Sequence, residues 1–390
     1  RLRWAIYGVL ALAYFFVYFH RLSLSIVADN LVKDFNTSAS IVGLLGSMYF
    51  YCYALMQFPA GLLSDSIGPR RTVTFFLLIA AAGSLLCGSS PNIQIAFIGR
   101  ILVGFGVSMV FIPTMKILSQ WFHQHEFALM AGILNAVGGV GVLAATWLLA
   151  IMTDSLGWRF SFELIGVGTF CIVLLVWLIV KDSPRDKGWP AISELDRPGK
   201  RNSPAIETIP LMEGARRVVS QKYFWPVAIW FFLDCGILFA FGGLWSGPYL
   251  MDIYGMTRAE AGAVLSMIAW GMIIGSPLLG LVSDKWLKSR KKPLIICMVI
   301  LSLEMLLFYL FPQNFTKPML MALFFIFSVC ASDIVAIWFT TTKELFPVEI
   351  AGTSVGTVNL FPFLGGAVYM PLLGWILDNH SQKEGGGYSI

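Results

Sequence analysis

AYFFVYFHRLSLSIVADN, residues 13–30, lies within an apolar run that begins at Trp4 and is long enough to cross a membrane as a helix. The run carries an arginine, Arg21, deep among apolar residues. An ionised side chain at the centre of a membrane helix costs about 2.5–3.5 kcal/mol on insertion scales, so it normally faces a partner or a water-filled cavity. Arg21 is therefore the first candidate for a functional site, and the rest of the chain is interpreted around it.

At helical spacing, Tyr14, Tyr18, Arg21 and Ser25 form one polar stripe on an otherwise apolar helix. The planar guanidinium of Arg21 suits bidentate pairing with a carboxylate or a phosphate, although a structural ion pair is the alternative. His20 lies about 100° around the helix from Arg21. It is interpreted either as a pH-responsive group or as a hydrogen-bonded structural histidine. Arg21, His20, Tyr18 and Tyr14 are thus candidates for substrate binding.

The composition indicates a membrane protein. Of the 390 residues 57% are hydrophobic and 13% are charged, whereas soluble domains carry about 25% charged residues. Apolar runs of membrane-spanning length recur along the chain and predict an all-α protein. The predicted spans are 4–29, 40–64, 71–90, 94–118, 127–152, 160–181, 222–246, 259–283, 293–311, 318–342 and 352–378.

The basic residues predict the orientation of these spans. With a cytoplasmic N-terminus, 19 of the lysines and arginines fall on the cytoplasmic side and five on the other side, as the positive-inside rule requires. The chain is therefore expected in the cytoplasmic (inner) membrane, and the net charge of +5 does not indicate nucleic-acid binding. The six cysteines lack metal-ligand or disulfide spacing. No nucleophile–base pair or nucleotide loop is found, so we predict neither catalytic residues nor a metal or other cofactor.

Internal repetition predicts two bundles. The polar segment 182–221 is interpreted as a cytoplasmic linker between an N-terminal six-helix bundle, 1–181, and a C-terminal bundle, 222–390, with five spans present. GLLSD at 61–65 repeats as GLVSD at 280–284, and Asn135 matches Asn359 in a second register. Repeated bundles are typical of transporters. The symmetry implies a twelfth helix, which is expected to be missing from this sequence.

The repeated segments resemble the signature motifs of the major facilitator superfamily. GLLSDSIGPRR, residues 61–71, is similar to the loop between spans 2 and 3 of that family, and GRILVGFG, 99–106, is similar to its fourth-span motif. The resemblance implies two six-helix bundles and a loop whose charge pairs hold one conformational state. The residues that it assigns to gating are Gly61, Asp65, Gly68, Arg70, Arg71, Arg100 and Asp284. The fifth span lacks the Gly-Pro pair of drug–proton antiporters.

Within that family, FVYFHRLSLSIVADNL resembles the first helix of the sugar-phosphate-permease-like and organic-anion transporters, in which an arginine at this depth binds the anion. The phosphate antiporters place a second arginine in the seventh span, where this chain has Asp234. The resemblance therefore implies an organic anion without a two-arginine phosphate clamp.

Further polar residues in the spans are candidates for binding and coupling. A carboxyl group in an apolar pocket can take and release a proton near neutral pH, so Asp234 and Asp333 are the proposed proton carriers. Trp245 lies on the predicted helical face of Asp234, and Asn135 and Asn359 could hydrogen-bond a substrate or hold helices together.

We therefore predict a secondary transporter that moves a small organic anion, a carboxylate or a phosphate ester, by alternating access with proton coupling. Transport of amino acids or small peptides is the first alternative, because Arg21 and Asp234 would bind the two ends of a zwitterion. A transporter-like ligand sensor is the second alternative. The expected partners are a small-molecule substrate, protons and the lipid bilayer, with the protein a monomer and no nucleic acid bound.

Overall fold

The computed structural model describes residues 2–190, 211–289, 291–331 and 357–379. Every regular element in these ranges is helical, in agreement with the predicted all-α fold. The α-helices, numbered in chain order, are α1 (Leu2–Leu22), α2 (Leu24–Asp34), α3 (Ala39–Ser66), α4 (Pro69–Gly88), α5 (Ile93–Ser108), α6 (Phe111–Trp121), α7 (Gln124–Leu143), α8 (Leu149–Leu156), α9 (Trp158–Ile179), α10 (Leu211–Val219), α11 (Phe224–Ile237), α12 (Ser246–Tyr254), α13 (Arg258–Leu281), α14 (Lys291–Leu310), α15 (Lys317–Ala331) and α16 (Leu360–Asp378).

Ten helical stretches in the described part of the chain are long and apolar enough to cross a membrane, and each matches one of the eleven predicted spans. The eleventh match is the shorter apolar helix α15, because the predicted span 318–342 runs beyond the described residues. Within the predicted linker the structure describes a short 3-10 helix at Pro184–Lys187 and the helix α10.

Several spans are not continuous α-helices. The first span divides at Ser23, where the Ser23 hydroxyl donates to the His20 carbonyl at 3.2 Å and the Ser25 hydroxyl donates to the Leu22 carbonyl at 2.9 Å. Such serine-to-backbone bonds compete with the helical ladder and bend helices. π-helical segments follow α7 at Ala144–Leu148 and α11 at Leu238–Trp245. π-segments shift the faces that the following residues present, and they are frequent at functional sites.

The helices α1–α9, here the first half, pack against α11–α16, here the second half, with α3 against α16 and α7 against α13. Glycines allow backbones of the two halves to touch. A Cβ at Gly247 would lie 2.0 Å from the Ser25 carbonyl oxygen, and one at Gly43 would lie 2.5 Å from the Met370 carbonyl oxygen. No real Cβ approaches so closely, so these helices can meet only because the residues are glycines.

Polar links between the halves gather at the end of the molecule formed by Asn30, Ala39, Asp154, Arg258 and Asp378, here named the clamped end. The Arg258 guanidinium donates to Asp154 Oδ1 at 2.6 Å and to Asn30 Oδ1 at 2.7 Å. The Asp378 carboxylate accepts the backbone N–H of Ala39 at 2.9 Å and also binds Ser40. A carboxylate at a helix N-terminus is favourable because it satisfies free N–H groups and opposes the helix dipole. The clamped end therefore joins α2, α3 and α8 of the first half to α13 and α16 of the second.

Asp34 fixes the end of α2 within the first half. Its carboxylate accepts the indole N–H of Trp158 at 2.8 Å and a guanidinium N–H of Arg159 at 2.5 Å. The Trp158 hydrogen bond, followed by the bond and charge of Arg159, holds the pKa of this carboxyl below its usual range. Asp34 therefore stays ionised at neutral pH.

We expect Arg258→Ala to loosen the clamped end, because it removes the hydrogen bonds from Arg258 to both Asp154 and Asn30 of the first half. Hydrogen exchange of the backbone amides in α2 and α12 should rise several-fold in the purified protein, as measured by mass spectrometry. Lys317→Ala is the matched control, since Lys317 pairs with Glu260 inside the second half at 3.2 Å. Equal exchange in Arg258→Ala and the control would contradict a clamping role for Arg258.

Candidate functional site

Arg21 lies in the last turn of α1, directly before the break at Ser23, and only 5% of the residue is exposed. Aromatic rings from both halves surround its guanidinium. In the first half, the ring centres of Tyr18 and Tyr53 lie 4.4 and 5.2 Å from the guanidinium carbon. In the second half, those of Phe239 and Phe363 lie at 5.5 and 5.4 Å. These four rings and the guanidinium are here named the aromatic cage.

The cage supplies π faces but no countercharge. Within the described ranges, no carboxylate lies within 4.0 Å of the Arg21 guanidinium, and its Nε has no hydrogen-bond partner. Cation–π contacts stabilise a desolvated cation by roughly 2 kcal/mol, which is less than the several kcal/mol that burying an ion costs. The arrangement therefore favours an anionic partner that comes from outside this set of residues.

Further tyrosines extend the cage along the first half. Tyr14 packs edge-to-face on Tyr18 with ring centres 5.2 Å apart, so the predicted stripe of Tyr14, Tyr18 and Arg21 is present on α1. Tyr49 stacks on Tyr53 at 5.8 Å, and its hydroxyl donates to the Val17 carbonyl at 3.3 Å. Ser25 follows the break in the helix and bonds to the backbone, so it does not extend the stripe.

His20 and Arg100 form a second buried polar cluster next to the cage. Nε2 of His20 lies 3.1 Å from the Thr169 hydroxyl on α9, and the histidine is 1% exposed. Arg100 donates from NH1 to the His20 carbonyl at 2.9 Å, and its guanidinium carbon lies 5.1 Å from the centre of the Tyr49 ring. Arg100, which the resemblance assigned to gating, thus holds the backbone beside the helix break and contacts a ring of the site.

The other predicted binding and coupling residues that the structure describes lie on several different helices. Asp234 is buried on α11, and Asn135 is half-buried on α7. The amide of Asn359 donates to Gln57 Oε1 of the first half at 2.8 Å, while the Trp245 indole donates to the Met370 carbonyl at 3.0 Å within the second half. Asp333 lies outside the described residues.

The predicted gating loop contacts the end of α9 and the residues that follow it. The backbone N–H of Arg70 donates to Asp182 Oδ1 at 2.6 Å, and its guanidinium stacks on Trp177 at 4.4 Å and donates to the Trp177 carbonyl. Gly68 has a φ of +90°, and a Cβ there would lie 2.7 Å from the Asp182 carboxylate. Arg71 is exposed. The side chains of Asp65 and Asp284, and the surroundings of Gly61, lie outside the described part.

Sequence analysis missed Phe239, Phe363, Arg258 and Asp378. The two phenylalanines lie in continuous apolar runs, where one ring looks like any other. The π-segment at Leu238–Trp245 also alters the helical register, so that Phe239 faces Arg21 while Phe241 packs against Phe308 and Phe324 inside the second half. The clamped end could have been suspected only because Arg258 and Asp378 are charged residues at the ends of predicted spans.

Comparisons with known proteins give the family and several relatives of the chain. The family model described as Major Facilitator Superfamily matches residues 10–368. The probable galactarate/D-glucarate transporter GarP of Escherichia coli (strain K12) is 26% identical in an alignment that covers 93% of this chain and 85% of the relative. The probable sulfoacetate transporter SauU of Cupriavidus necator is 23% identical, and the alignment covers 98% of this chain and 89% of the relative. The glycerol-3-phosphate transporter of Bacillus subtilis is 25% identical, with coverages of 89% and 80%.

Solved structures share the fold. A bacterial homologue of the human lysosomal transporter Spinster, in an inward-facing and unoccupied conformation, superposes with a TM-score of 0.76 at 18% identity, covering 97% of this chain and 83% of that one. A D-xylose–proton symporter superposes with a TM-score of 0.70 at 15% identity, with coverages of 96% and 90%.

Proposed function

The chain belongs to the major facilitator superfamily and is a transporter, not an enzyme, and from this premise we propose that it moves small organic anions by alternating access, coupled to protons. Arg21 would bind the anion, whether carboxylate or phosphate ester. One observation carries the proposal: Arg21 is buried among aromatic rings with no carboxylate in ion-pairing range within the described residues.

An anion at Arg21 would complete the site. Charge-assisted bonds from a guanidinium to a carboxylate or phosphate are among the stronger hydrogen bonds in proteins, and two parallel bonds fix the orientation of the anion. The relatives' names refer to galactarate, glucarate, sulfoacetate and glycerol 3-phosphate, all of which are organic anions. These names support the class of substrate proposed for this chain.

The proposed alternating access uses the two halves as bundles, 1–181 and 222–390, joined by the linker 182–221. The distribution of lysine and arginine supports a cytoplasmic N-terminus, which would put the clamped end outside. The described state would then be closed outside, and separation of the halves there would open Arg21 to that side. The signature loop with Asp65, Arg70 and Arg71 is the proposed gate of the opposite end.

Proton coupling is proposed for Asp234, with Asp333 as the second candidate. Asp234 is buried in the second half, on the same span as Phe239 of the aromatic cage. A proton would neutralise its carboxylate as that surface closes, which removes the cost of burying a charge. A substrate anion at Arg21 would bind the cation that otherwise attracts the carboxylate, and so favour protonation of Asp234.

We expect Asp234→Asn to abolish uphill uptake driven by a pH gradient while retaining downhill exchange of labelled substrate. The amide mimics the neutral carboxyl group, so binding and conformational exchange persist but no proton is released. Both assays use one preparation in proteoliposomes. Asp333→Asn is tested in parallel and should keep pH-driven uptake. Intact accumulation by Asp234→Asn together with a loss in Asp333→Asn would assign the coupling to Asp333.

The anion-transport proposal is tested by counterflow in proteoliposomes loaded with carboxylates, phosphate esters or amino acids. An organic anion should exchange in the wild-type protein and fail to exchange in Arg21→Gln. Exchange of amino acids alone would identify a zwitterion transporter and contradict the proposal. Saturable binding of an anion without any flux would instead indicate a ligand sensor.

A further inference from the structure

The rings around Arg21 form one continuous aromatic surface across the two halves. Tyr53 and Phe363 have ring centres 4.1 Å apart, and Phe363 and Phe239 lie nearly parallel, with an interplanar angle of 7° and centres 6.2 Å apart. Phe239 also contacts Phe50 at 4.8 Å. The surface beside the guanidinium is therefore made of ring faces rather than hydroxyl or amide groups on the second-half side.

This surface restricts the part of the substrate that follows its charged group. The hydroxyls of Tyr49 and Tyr53 lie beside the guanidinium on the first-half side, so an anion whose body extends toward the second half would place it against Phe239 and Phe363. Neither phenylalanine offers a hydrogen bond, so a hydroxyl group held against them would lose its water without replacement. A flat aromatic body loses no hydrogen bond there and gains stacking contacts in offset or edge-to-face geometry.

The number of positive charges in the aromatic cage also favours a substrate with an apolar body. Arg21 is the cation that the described part of the chain places inside the cage, and one guanidinium matches one carboxylate in the bidentate geometry. On the second-half side, away from Arg100, a dicarboxylate would bring a second charge against the faces of Phe239 and Phe363, whose negative quadrupole repels anions. The cage thus suits a single negative charge at one end of an apolar body.

Resting on the proposed function, we infer that the preferred substrates are aromatic monocarboxylates of the benzoate type, held with the carboxylate on Arg21 and the ring against Phe239 and Phe363. This class differs from the sugar acids and phosphate esters in the names of the relatives. Phe239 and Phe363 would then determine specificity, whereas Arg21 supplies the affinity for the carboxylate.

The test measures binding to the purified protein by isothermal titration calorimetry, with benzoate, cyclohexanecarboxylate, D-glucarate and glycerol 3-phosphate as probes. Benzoate should bind about tenfold more tightly than cyclohexanecarboxylate, since a stacking contact contributes roughly that factor. D-Glucarate and glycerol 3-phosphate should bind more weakly than both. Arg21→Gln should remove the binding of every probe.

Phe239→Leu and Phe363→Leu separate stacking from simple apolar packing. Each should bring the ratio of benzoate to cyclohexanecarboxylate affinity close to one, while cyclohexanecarboxylate still binds. Phe241→Leu is the matched control, because Phe241 belongs to a ring cluster with Tyr249, Phe308 and Phe324 inside the second half. It should leave the ratio unchanged.

The outcomes distinguish this inference from the function on which it rests. Arg21-dependent binding of D-glucarate or glycerol 3-phosphate that exceeds that of benzoate would overturn the aromatic specificity and leave organic-anion transport standing. Benzoate binding that persists in Arg21→Gln would show partition into apolar surface and would also overturn the inference. If no anion bound in an Arg21-dependent manner, the proposed function itself would fail.

Discussion

Replacement of Arg21 by lysine is expected to weaken substrate binding by about 100-fold, and replacement by alanine by more, while the protein still inserts and folds. Lysine keeps the positive charge but has no planar fork for bidentate pairing. A hydrogen bond to a charged group contributes about 1.5–3 kcal/mol, and each 1.4 kcal/mol changes affinity tenfold. Lysine would also lose the contact in which the guanidinium carbon lies 4.4 Å from the centre of the Tyr18 ring.

The measurement is ligand-dependent thermal stabilisation of the purified variants, with the unliganded melting temperature as the check on folding. Arg159→Lys is the matched control, because Arg159 pairs with Asp34 at the partly exposed end of α2, away from the cage. It should bind substrate like the wild-type chain. Native affinity in Arg21→Lys would show that a bidentate contact at this position is not needed.

The second large effect is expected for Gly247→Ala, which should open the clamped end. An alanine Cβ would lie 2.0 Å from the Ser25 carbonyl oxygen, so α12 and the N-terminal part of α2 must separate to accept it. The methyl group therefore destabilises the described state relative to one in which the halves are apart at this end. A transporter that must revisit the closed state should lose transport by about tenfold or more, as one conformation becomes depleted.

Pulsed electron–electron double resonance measures this opening as the distance between two spin labels. The labels are attached at Lys33→Cys and Ala259→Cys in a protein whose native cysteines have been replaced. The distance distribution should widen in Gly247→Ala. Gly365→Ala is equally tight, 2.1 Å from the Phe232 carbonyl oxygen, but that contact lies inside the second half. It should lower the melting temperature without the widening. Gly132→Ala, with nothing within 4 Å, should do neither. Widening in all three would disprove a specific role for Gly247.

The helical architecture could be predicted from the sequence because the bilayer fixes the length of an apolar span. Arg21 was equally visible, since a charge among apolar residues needs a physical reason. The stripe of Tyr14, Tyr18 and Arg21 followed from helical periodicity, and it ended at Ser23 because the hydroxyls of Ser23 and Ser25 bond to backbone carbonyls there.

The partners of these residues could not be predicted, because they depend on how two halves of the chain meet. Asp378 binds the N-terminus of α3, which is more than 300 residues away in the sequence. Phe239 faces Arg21 through a π-segment that no hydrophobic period signals. His20 has a partner, Thr169, on a helix whose angular position relative to α1 is set by tertiary packing.

The positive charge of the aromatic cage also has an electrical consequence. In an alternating-access cycle, the membrane potential would fall on one side of Arg21 and then on the other. Arg21 then carries its positive charge through the field, worth up to about 2.3 kcal/mol per 100 mV, unless a negative charge moves with it. In the loaded step the substrate anion would supply that charge, and in the empty step an ionised Asp234 would supply it. The membrane voltage would thus leave both steps almost untouched in the wild-type protein. In Asp234→Asn the empty site would keep its charge, and a negative interior would hold the empty protein with its site open to the interior.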